Sequence, residues 1–132
     1  MIKFAYTILY VEDVTKTIEF YENAFGFQRK FISPENDYGE LITGATTLSF
    51  ASHKLGELNF KNGFEKTLPT NKPFGVEIAF TSDDCESDYE KAIQVGATAY
   101  EPLKVKPWGQ KVGYLRDING FLIEICSPMN DN

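Results

Sequence analysis

Residues 6–26 read YTILYVEDVTKTIEFYENAFG. The first six are mostly aromatic or β-branched, which favours a β-strand. After Asp13, apolar side chains recur at the spacing of one helix face, at Val14, Ile18, Tyr21 and Phe25. Asp13 can accept hydrogen bonds from the first free helix amides, and Gly26 can take the left-handed conformation that ends a helix. The stretch therefore predicts a strand followed by an amphipathic helix over about residues 14–25.

The same series of features returns in the second half of the chain. Residues 76–80 make an apolar strand-like run, which is followed by a capping aspartate, a helical stripe and a terminating glycine, at Asp84, Tyr89 with Ile93, and Gly96. Asp84 lies 71 residues after Asp13, and Gly96 lies 70 residues after Gly26, so the two distances agree to within one residue. We interpret this agreement as an internal repeat.

Shorter strand-like runs follow each predicted helix. They cover residues 27–32, 39–43 and 46–51 in the first half, and 98–100, 110–115 and 121–126 in the second. Turn-forming residues separate them, at Gly44 and at residues 117–120. Each half therefore predicts a βαβββ module, which makes the chain an α+β protein.

Length and composition indicate one domain. A chain of 132 residues with 42% hydrophobic content is long enough for one core and too short for two ordinary independent domains. We expect module one over about residues 1–56, module two over residues 73–132, and a linker or lid between them over 57–72. The linker mixes Gly, Asn, Lys and Pro with isolated Leu and Phe, so it predicts no regular element.

Charge, hydropathy and cysteine usage exclude several classes of partner. A formal net charge of −6 argues against nucleic-acid binding, which requires a basic surface. No apolar run is long enough to span a bilayer, and the first residues do not read as a secretory leader, so we expect a cytoplasmic protein with no membrane partner. Cys85 and Cys126 are too few for a disulfide framework and are expected to be free thiols.

Two motifs carry a resemblance to a known superfamily. Residues 11–27 read VEDVTKTIEFYENAFGF, and residues 107–124 read PWGQKVGYLRDINGFLIE. Together with the repeat, they resemble the vicinal oxygen chelate superfamily, which includes glyoxalase I, extradiol dioxygenases, fosfomycin-resistance enzymes and bleomycin-binding proteins. The resemblance covers nearly the whole chain. It implies the glyoxalase-like fold, in which two modules form a concave mixed sheet with helices on the outer face.

The resemblance also implies a set of candidate pocket positions. Metal enzymes of the superfamily take one ligand from the first and last strand of each module. The matching positions here are Tyr6 in place of His, Ser49 in place of Glu, Glu77 in place of His or Gln, and Glu124 as Glu. Independently of the family, strand alternation places Glu77 and Glu124 opposite their bulky apolar neighbours.

This donor set is poor for a transition metal, which needs three or four ligands that are usually imidazole and carboxylate. A neutral phenol at Tyr6 and a hydroxyl at Ser49 are weak donors. We therefore expect no metal cofactor; if a divalent metal binds, Glu77 and Glu124 are its ligands. The sole histidine, His53, lies at the predicted end of its strand and is expected to be an exposed loop residue.

Two carboxylates in one pocket repel each other, so a positive charge or hydrogen-bond donor must lie near them. The candidates are the Tyr6 hydroxyl, Arg116, water or a cationic ligand, and the alternative of hydrogen-bonded structural acids stays open. The segment around Trp108 is similar to one that supplies a stacking aromatic in bleomycin-binding proteins. A rim tryptophan that packs on the lid is the other interpretation of Trp108.

The predicted function is metal-independent binding of a small planar or cationic molecule. The alternatives are a metal-dependent isomerase or lyase like lactoylglutathione lyase, and a partner-binding domain with a vestigial pocket. The chain has no glycine-rich phosphate loop, no Cys pair at zinc spacing and no Gly-x-Ser-x-Gly motif. We also expect a homodimer, as is common in the superfamily. The candidate ligand-binding residues are Tyr6, Ser49, Glu77, Trp108, Tyr114 and Glu124.

Overall fold

The computed structural model describes residues 1–129, and the chain divides into two compact units between Thr67 and Leu68. The first unit contains strands β1 (Tyr6–Val11), β2 (Gln28–Ile32), β3 (Tyr38–Ile42) and β4 (Thr47–Ser52), with helices α1 (Val14–Phe25) and α2 (His53–Asn59). Its sheet has the order β1-β4-β3-β2. The β1–β4 pair is parallel, and the other two pairs are antiparallel.

The second unit repeats this topology. It contains β5 (Glu77–Thr81), α3 (Cys85–Gln94), β6 (Thr98–Val105), β7 (Lys111–Arg116) and β8 (Leu122–Cys126). Its sheet has the order β5-β8-β7-β6, again with a parallel first pair and two antiparallel pairs. The α+β class and the repeated βαβββ order are therefore confirmed. Within residues 1–129, no helix is long and apolar enough to cross a membrane.

Helix α1 has the predicted bounds because both of its ends are capped as expected. The Asp13 carboxylate accepts a hydrogen bond from the Lys16 amide at 3.0 Å, and Gly26 adopts φ 75° just after the last turn. The predicted stripe faces the sheet, since the buried residues of α1 are Val14, Thr17, Ile18, Phe20, Tyr21 and Ala24. The packing of this face against β2, β3 and β4 forms the core of the first unit.

Helix α3 begins at its predicted cap, where the Asp84 carboxylate accepts a hydrogen bond from the Ser87 amide at 3.2 Å. The predicted stripe residues Tyr89 and Ile93 are half-buried, while Cys85 and Ala92 are buried completely. The Tyr89 hydroxyl donates to the Tyr114 carbonyl at 2.9 Å, which ties the helix to β7. Gly96 follows the helix with φ 127°.

The prediction that residues 57–72 contain no regular element was wrong at their start, because α2 extends to Asn59. Ser52 caps this short helix by accepting a hydrogen bond from the Leu55 amide at 3.0 Å. The phenylalanines that follow then pack on β1: the rings of Phe60 and Phe64 lie 5.5 and 5.2 Å from the Tyr10 ring. A tertiary contact thus orders a segment that is too short to show helical periodicity.

Strand β6 is longer than predicted, extending to Val105 rather than ending at Tyr100. Pro102 weakens the sequence signal for a strand because proline cannot donate a ladder hydrogen bond. The structure accommodates it on an edge strand, where the register with β7 shifts on either side of Glu101. The remaining strands agree with the predicted runs to within one residue at each end.

Arg116 connects the β7–β8 turn to the start of the second unit. Its guanidinium donates to the carbonyls of Gly120, Pro69 and Leu68 at 3.0, 3.2 and 3.2 Å. Gly120 has φ +97°, and a Cβ atom there would lie 2.8 Å from the Leu68 carbonyl oxygen and from Arg116 Nη2. The turn therefore requires glycine both for its backbone angle and for space.

Gly120→Ala should destabilise the protein more than Gly44→Ala does. Both glycines have φ +97°, so both substitutions cost about 1–2 kcal/mol for a left-handed non-glycine residue. Nothing lies within 4 Å of a Cβ atom at Gly44, whereas the clash at Gly120 should add about 1–3 kcal/mol. Urea denaturation of both variants measures the difference, and equal losses would show that Arg116 and Leu68 do not restrict the turn.

Candidate functional site

The first sheet has one face covered by α1 and an opposite face, which we call open face one. A Cβ atom at Gly39 would lie 2.6 Å from Ile18 Cδ1, so Gly39 faces α1. Side chains alternate along a strand, so Tyr38 and Glu40 point to open face one. The Tyr10 end of this face is covered by Phe60 and Phe64.

Tyr6 and Ser49 share open face one. Ser49 pairs with Ile8 across β1 and β4, and Ile8 lies on the same side of its strand as Tyr6. Ser49 is fully buried and its hydroxyl donates to the Thr7 carbonyl at 3.4 Å, whereas Tyr6 is exposed. The structure thus brings the two predicted residues of the first module onto one face.

Open face one also carries a carboxylate that the sequence analysis missed. Glu40 is the antiparallel partner of Ser49 and is only 6% exposed. Its Oε2 accepts a hydrogen bond from the Tyr38 hydroxyl at 2.6 Å, and its Oε1 lies 3.8 Å from Lys30 Nζ. Burial, followed by this hydrogen bond to Glu40, raises the pKa of Tyr38 to about 12. The available sequence signal was the strand-like alternation of Tyr38, Gly39 and Glu40, which puts Tyr38 and Glu40 on the same side of a strand.

The second sheet likewise has a face, open face two, that carries Glu77, Tyr114 and Glu124. Glu124 is the cross-strand partner of both Ala79 and Tyr114, and Glu77 lies two residues before Ala79 on β5. All three side chains therefore point the same way, as the alternation in the two glutamate-bearing strands predicted for the acids.

Glu77 is exposed and Glu124 is half-buried, and the nearby Glu124 affects the ionisation of Glu77. Burial of the carboxyl, then a hydrogen bond with Glu124 and the charge of Glu124, raise the pKa of Glu77 above its ordinary value. Burial, then the hydrogen bond with Glu124, raises the pKa of Tyr114 as well. The same two causes raise the pKa of Cys126 to about 11, so this buried thiol is not a nucleophile at neutral pH.

Arg116 was one of the groups proposed to offset the two acids. Its guanidinium instead binds three backbone carbonyls, at Gly120, Leu68 and Pro69. Arg116 therefore does not offset the charge of the Glu77–Glu124 pair.

The donor atoms near the pair do not suit a transition metal. Residues 1–129 contain no group of three or more His, Cys, Asp or Glu side chains arranged to hold a metal ion. The nearby phenol of Tyr114 and thiol of Cys126 have raised pKa values and are neutral, which makes them weak ligands. Glu77 and Glu124 alone supply fewer than the three ligands that such a metal requires.

Trp108 lies apart from the glutamate pair within the second unit. Its indole Nε1 donates to Gln110 Oε1 at 2.9 Å, and Gln110 Nε2 donates to the Ser127 carbonyl at 2.8 Å. These bonds hold an indole that is 60% exposed at the edge of a cleft of about 430 Å³, which is also lined by Asp83, Pro128 and Met129.

His53 is not the exposed loop residue that was expected. It is half-buried as the first residue of α2, since the Ser52 cap begins a helix where the strand ends. Its Nε2 atom is buried and neither donates nor accepts a hydrogen bond. Its ring centroid is 6.0 Å from that of Phe64. Burial, followed by the charge of Lys66, lowers the pKa of His53. The residue belongs to the aromatic cluster of Tyr10, Phe60 and Phe64.

A comparison with known proteins identifies the family of this chain. The sequence profile of the glyoxalase-like domain matches residues 4–130. The chain belongs to the glyoxalase-like domain family. This confirms the resemblance to the vicinal oxygen chelate superfamily. A comparison of this glyoxalase-like chain with curated proteins finds no match.

Several solved structures share the fold of this glyoxalase-like domain. A glyoxalase-related enzyme from Fulvimarina pelagi has a TM-score of 0.80 and 17% identity, covering 99% of this chain and 94% of its own. A glyoxalase/bleomycin resistance protein/dioxygenase family enzyme from Burkholderia phytofirmans PsJN has a TM-score of 0.81 and 21% identity, covering 95% and 98%. TioX from Micromonospora sp. ML1 has a TM-score of 0.69 and 19% identity, covering 96% and 99%. At these identities the likeness establishes the fold alone.

The raised pKa of Glu77 gives a prediction for stability in this glyoxalase-like domain. The folded protein holds the Glu77 proton more tightly than the unfolded chain, so the associated stability is present below the ordinary pKa of 4.5 and is lost as pH rises through the folded pKa. The neutral amide of Glu77→Gln imitates the protonated acid. This variant should raise Tm at neutral pH and give no gain below pH 4.5.

Glu90→Gln is the matched control, because Glu90 is exposed on α3 and its substitution removes the same charge. It should not reproduce the pH-dependent gain. NMR titration of the glutamate side-chain carbons gives the pKa of Glu77 directly, and Glu124→Gln should lower it. An ordinary pKa for Glu77 in the native protein would show that the two carboxyl groups do not interact.

Proposed function

We propose that this protein binds a small organic cation, without a metal, at the Glu77–Glu124 pair of open face two. The observation that carries the proposal is the placement of Glu77, Tyr114 and Glu124 on one face of the second sheet. The raised pKa of Glu77 beside Glu124 agrees with this placement. A bound cation would interact with both acids and offset their mutual repulsion. The position of Tyr114 beside Glu124 adds an aromatic surface, which attracts cations through its ring face.

Trp108 supports the planar part of the proposed ligand. Its ring is held in place through Gln110, so little conformational freedom is lost when a flat group stacks on it. Stacking on an indole stabilises a planar or cationic group by about 0.5–2 kcal/mol.

The binding proposal is tested with benzylammonium and its neutral analogue, benzyl alcohol, by NMR titration of the backbone amides. Benzylammonium should shift amides of β5 and β8 in a saturable way, and benzyl alcohol should bind at least tenfold more weakly, which is about 1.4 kcal/mol. Glu77→Gln should weaken benzylammonium by a similar factor. Its affinity should also fall as pH drops through the pKa of Glu77, because the proton and the cation compete for the same carboxyl group.

Two controls separate the possible outcomes. Glu90→Gln should leave the affinity for benzylammonium unchanged, and so should Trp108→Ala, since the described lining of the Trp108 cleft includes neither Glu77 nor Glu124. The proposal would be overturned if added Ni²⁺, Zn²⁺ or Mn²⁺ produced lactoylglutathione-forming activity that either Glu77→Gln or Glu124→Gln abolished. That result would favour a metal-dependent isomerase.

We also propose that the protein is a cytoplasmic homodimer. The buried free thiols of Cys85 and Cys126 support a reducing compartment. Edge strand β6 exposes the apolar side chains of Tyr100 and Val105, and pairing with a second copy would cover such an edge.

Sedimentation equilibrium tests the assembly. The protein should sediment as a dimer at tens of micromolar, and Val105→Lys should shift it toward monomer because a charge would be buried at the covered edge. The matched control is Val95→Lys, which changes another exposed valine at the end of α3. A monomer at that concentration for the native chain would contradict the proposal.

A further inference from the structure

Within residues 1–129, a single buried side-chain nitrogen has no hydrogen-bond partner. It is Nε2 of His53, the first residue of α2. Buried polar atoms in native proteins are almost always hydrogen-bonded, so an unsatisfied one requires an explanation. A neutral imidazole can leave this nitrogen without a proton. A protonated imidazole would instead bury an N–H donor and a positive charge with no acceptor beside them, which is costly.

Aromatic rings fill the space around His53. The Phe64 ring lies 6.0 Å from the His53 ring and 5.2 Å from the Tyr10 ring, and the Phe60 ring lies 6.0 Å from that of Phe64. Gly56, one turn further along α2, meets the same rings. A Cβ atom there would lie 2.6 Å from Phe64 Cε1 and 2.8 Å from Tyr10 Cδ1. Water or another acceptor therefore reaches Nε2 only if part of this aromatic cluster moves.

The charged groups around His53 come from three segments. Burial, followed by the charge of Lys66, lowers the pKa of His53 below its ordinary value of 6.5. A hydrogen bond with the Tyr10 backbone and the charges of Glu12 and Glu57 act in the opposite direction without reversing the shift. Glu57 is already paired with Lys66 at 2.9 Å. Strand β4, which also packs against α2, carries no titratable side chain.

Helix α2 depends on these contacts for its stability. It has only seven residues, which is too short for a helix that is stable by itself in water. Besides the Ser52 cap, the aromatic cluster is what holds it against β1. The Glu57–Lys66 ion pair adds little, since its side chains are 54% and 41% exposed. Separation of the rings would therefore release the helix and the residues that follow it.

We propose that His53 is a pH-sensitive latch. When its ring is neutral, it packs within the aromatic cluster and holds α2 and residues 60–66 on β1. When the ring is protonated, it turns into water, and α2 and residues 60–66 separate from Tyr10 while the rest of the first unit stays folded. The latch uses neither acid of the Glu77–Glu124 pair, so it goes beyond the function proposed above.

Acidification should open the latch. The pKa of His53 is lower in the closed state than in an open state where the ring is solvated, so the open state binds the proton more tightly. The stability that the neutral ring gives the closed state is complete above the ordinary pKa of 6.5. It is lost as pH falls through the pKa of the closed form.

Amide hydrogen exchange of the full chain measures the opening. Corrected for the intrinsic pH dependence of exchange, the protection of α2 amides should fall about threefold or more between about pH 7.5 and about pH 5.5. At both values it should be about tenfold or more below that of α1, because α2 opens without global unfolding. His53 is the only histidine, so its imidazole NMR signal reports the protonation directly, and the loss of protection should follow it.

Two substitutions remove the titrating group. His53→Gln keeps a hydrogen-bonding side chain and His53→Phe keeps an aromatic ring, and neither can be protonated in this range. Both should abolish the pH dependence of α2 protection. Thermal melts establish that each variant is folded.

Three charge variants distinguish a latch from a histidine with a purely structural role. Lys66→Gln should move the loss of α2 protection to higher pH, because the cation that opposes protonation is removed. Glu12→Gln should move it to lower pH, because that carboxylate favours the charged ring. Lys61→Gln is the matched control, since Lys61 is an exposed lysine in the turn after α2 and should leave the pH dependence unchanged.

Three results would overturn the latch. The first is α2 protection that stays constant while the imidazole signal titrates. The second is a pH dependence that persists in both His53→Gln and His53→Phe. The third is α2 protection equal to that of α1, which would show that the cluster opens only when the whole unit unfolds. None of these results bears on the Glu77–Glu124 pair, whose test uses amides of β5 and β8.

Discussion

The packing of one helix against one face of each sheet is the constraint on which the rest of this protein depends. In the first unit the contact is so close that position 39 has no room for a side chain, because a Cβ atom there would lie 2.6 Å from Ile18 Cδ1. Strand alternation then directs the neighbours Tyr38 and Glu40 to the other face. The contact of Gly39 with Ile18 thus determines the face on which the polar groups of Tyr38 and Glu40 lie.

Each open face keeps a carboxylate, but the two units stabilise it differently. In the second unit Glu77 and Glu124 interact and Glu77 retains its proton more readily than an isolated glutamate. In the first unit Glu40 is supported by a phenol and by an exposed lysine at 3.8 Å. Burying the Glu40 carboxylate has a desolvation cost, which its hydrogen bond from Tyr38 partly offsets. A carboxyl group with a raised pKa beside a second acid, as at Glu77, is typical of functional sites.

Most of the framework could be predicted from local patterns. Strand β1, helix α1 with its caps at Asp13 and Gly26, and the repeat of the whole module agree with the structure because short-range periodicity and capping determine them. Three features could not be predicted in this way. Helix α2 has only seven residues, which is too short for a periodic pattern. Pro102 weakened the sequence signal for the second part of β6. Glu40 lies on an inner strand, whereas the family's ligand positions are on the first and last strands of each module.

Local sequence patterns were enough to predict the repeated βαβββ order and the face on which Glu77 and Glu124 lie, since alternation and capping act over a few residues. They could not predict that Arg116 binds backbone carbonyls rather than the acids, that Trp108 borders a separate cleft, or that Glu40 faces Ser49. These facts depend on strand register and on contacts between residues far apart in the chain. The free energy of such contacts comes from packing that forms only when the whole unit folds.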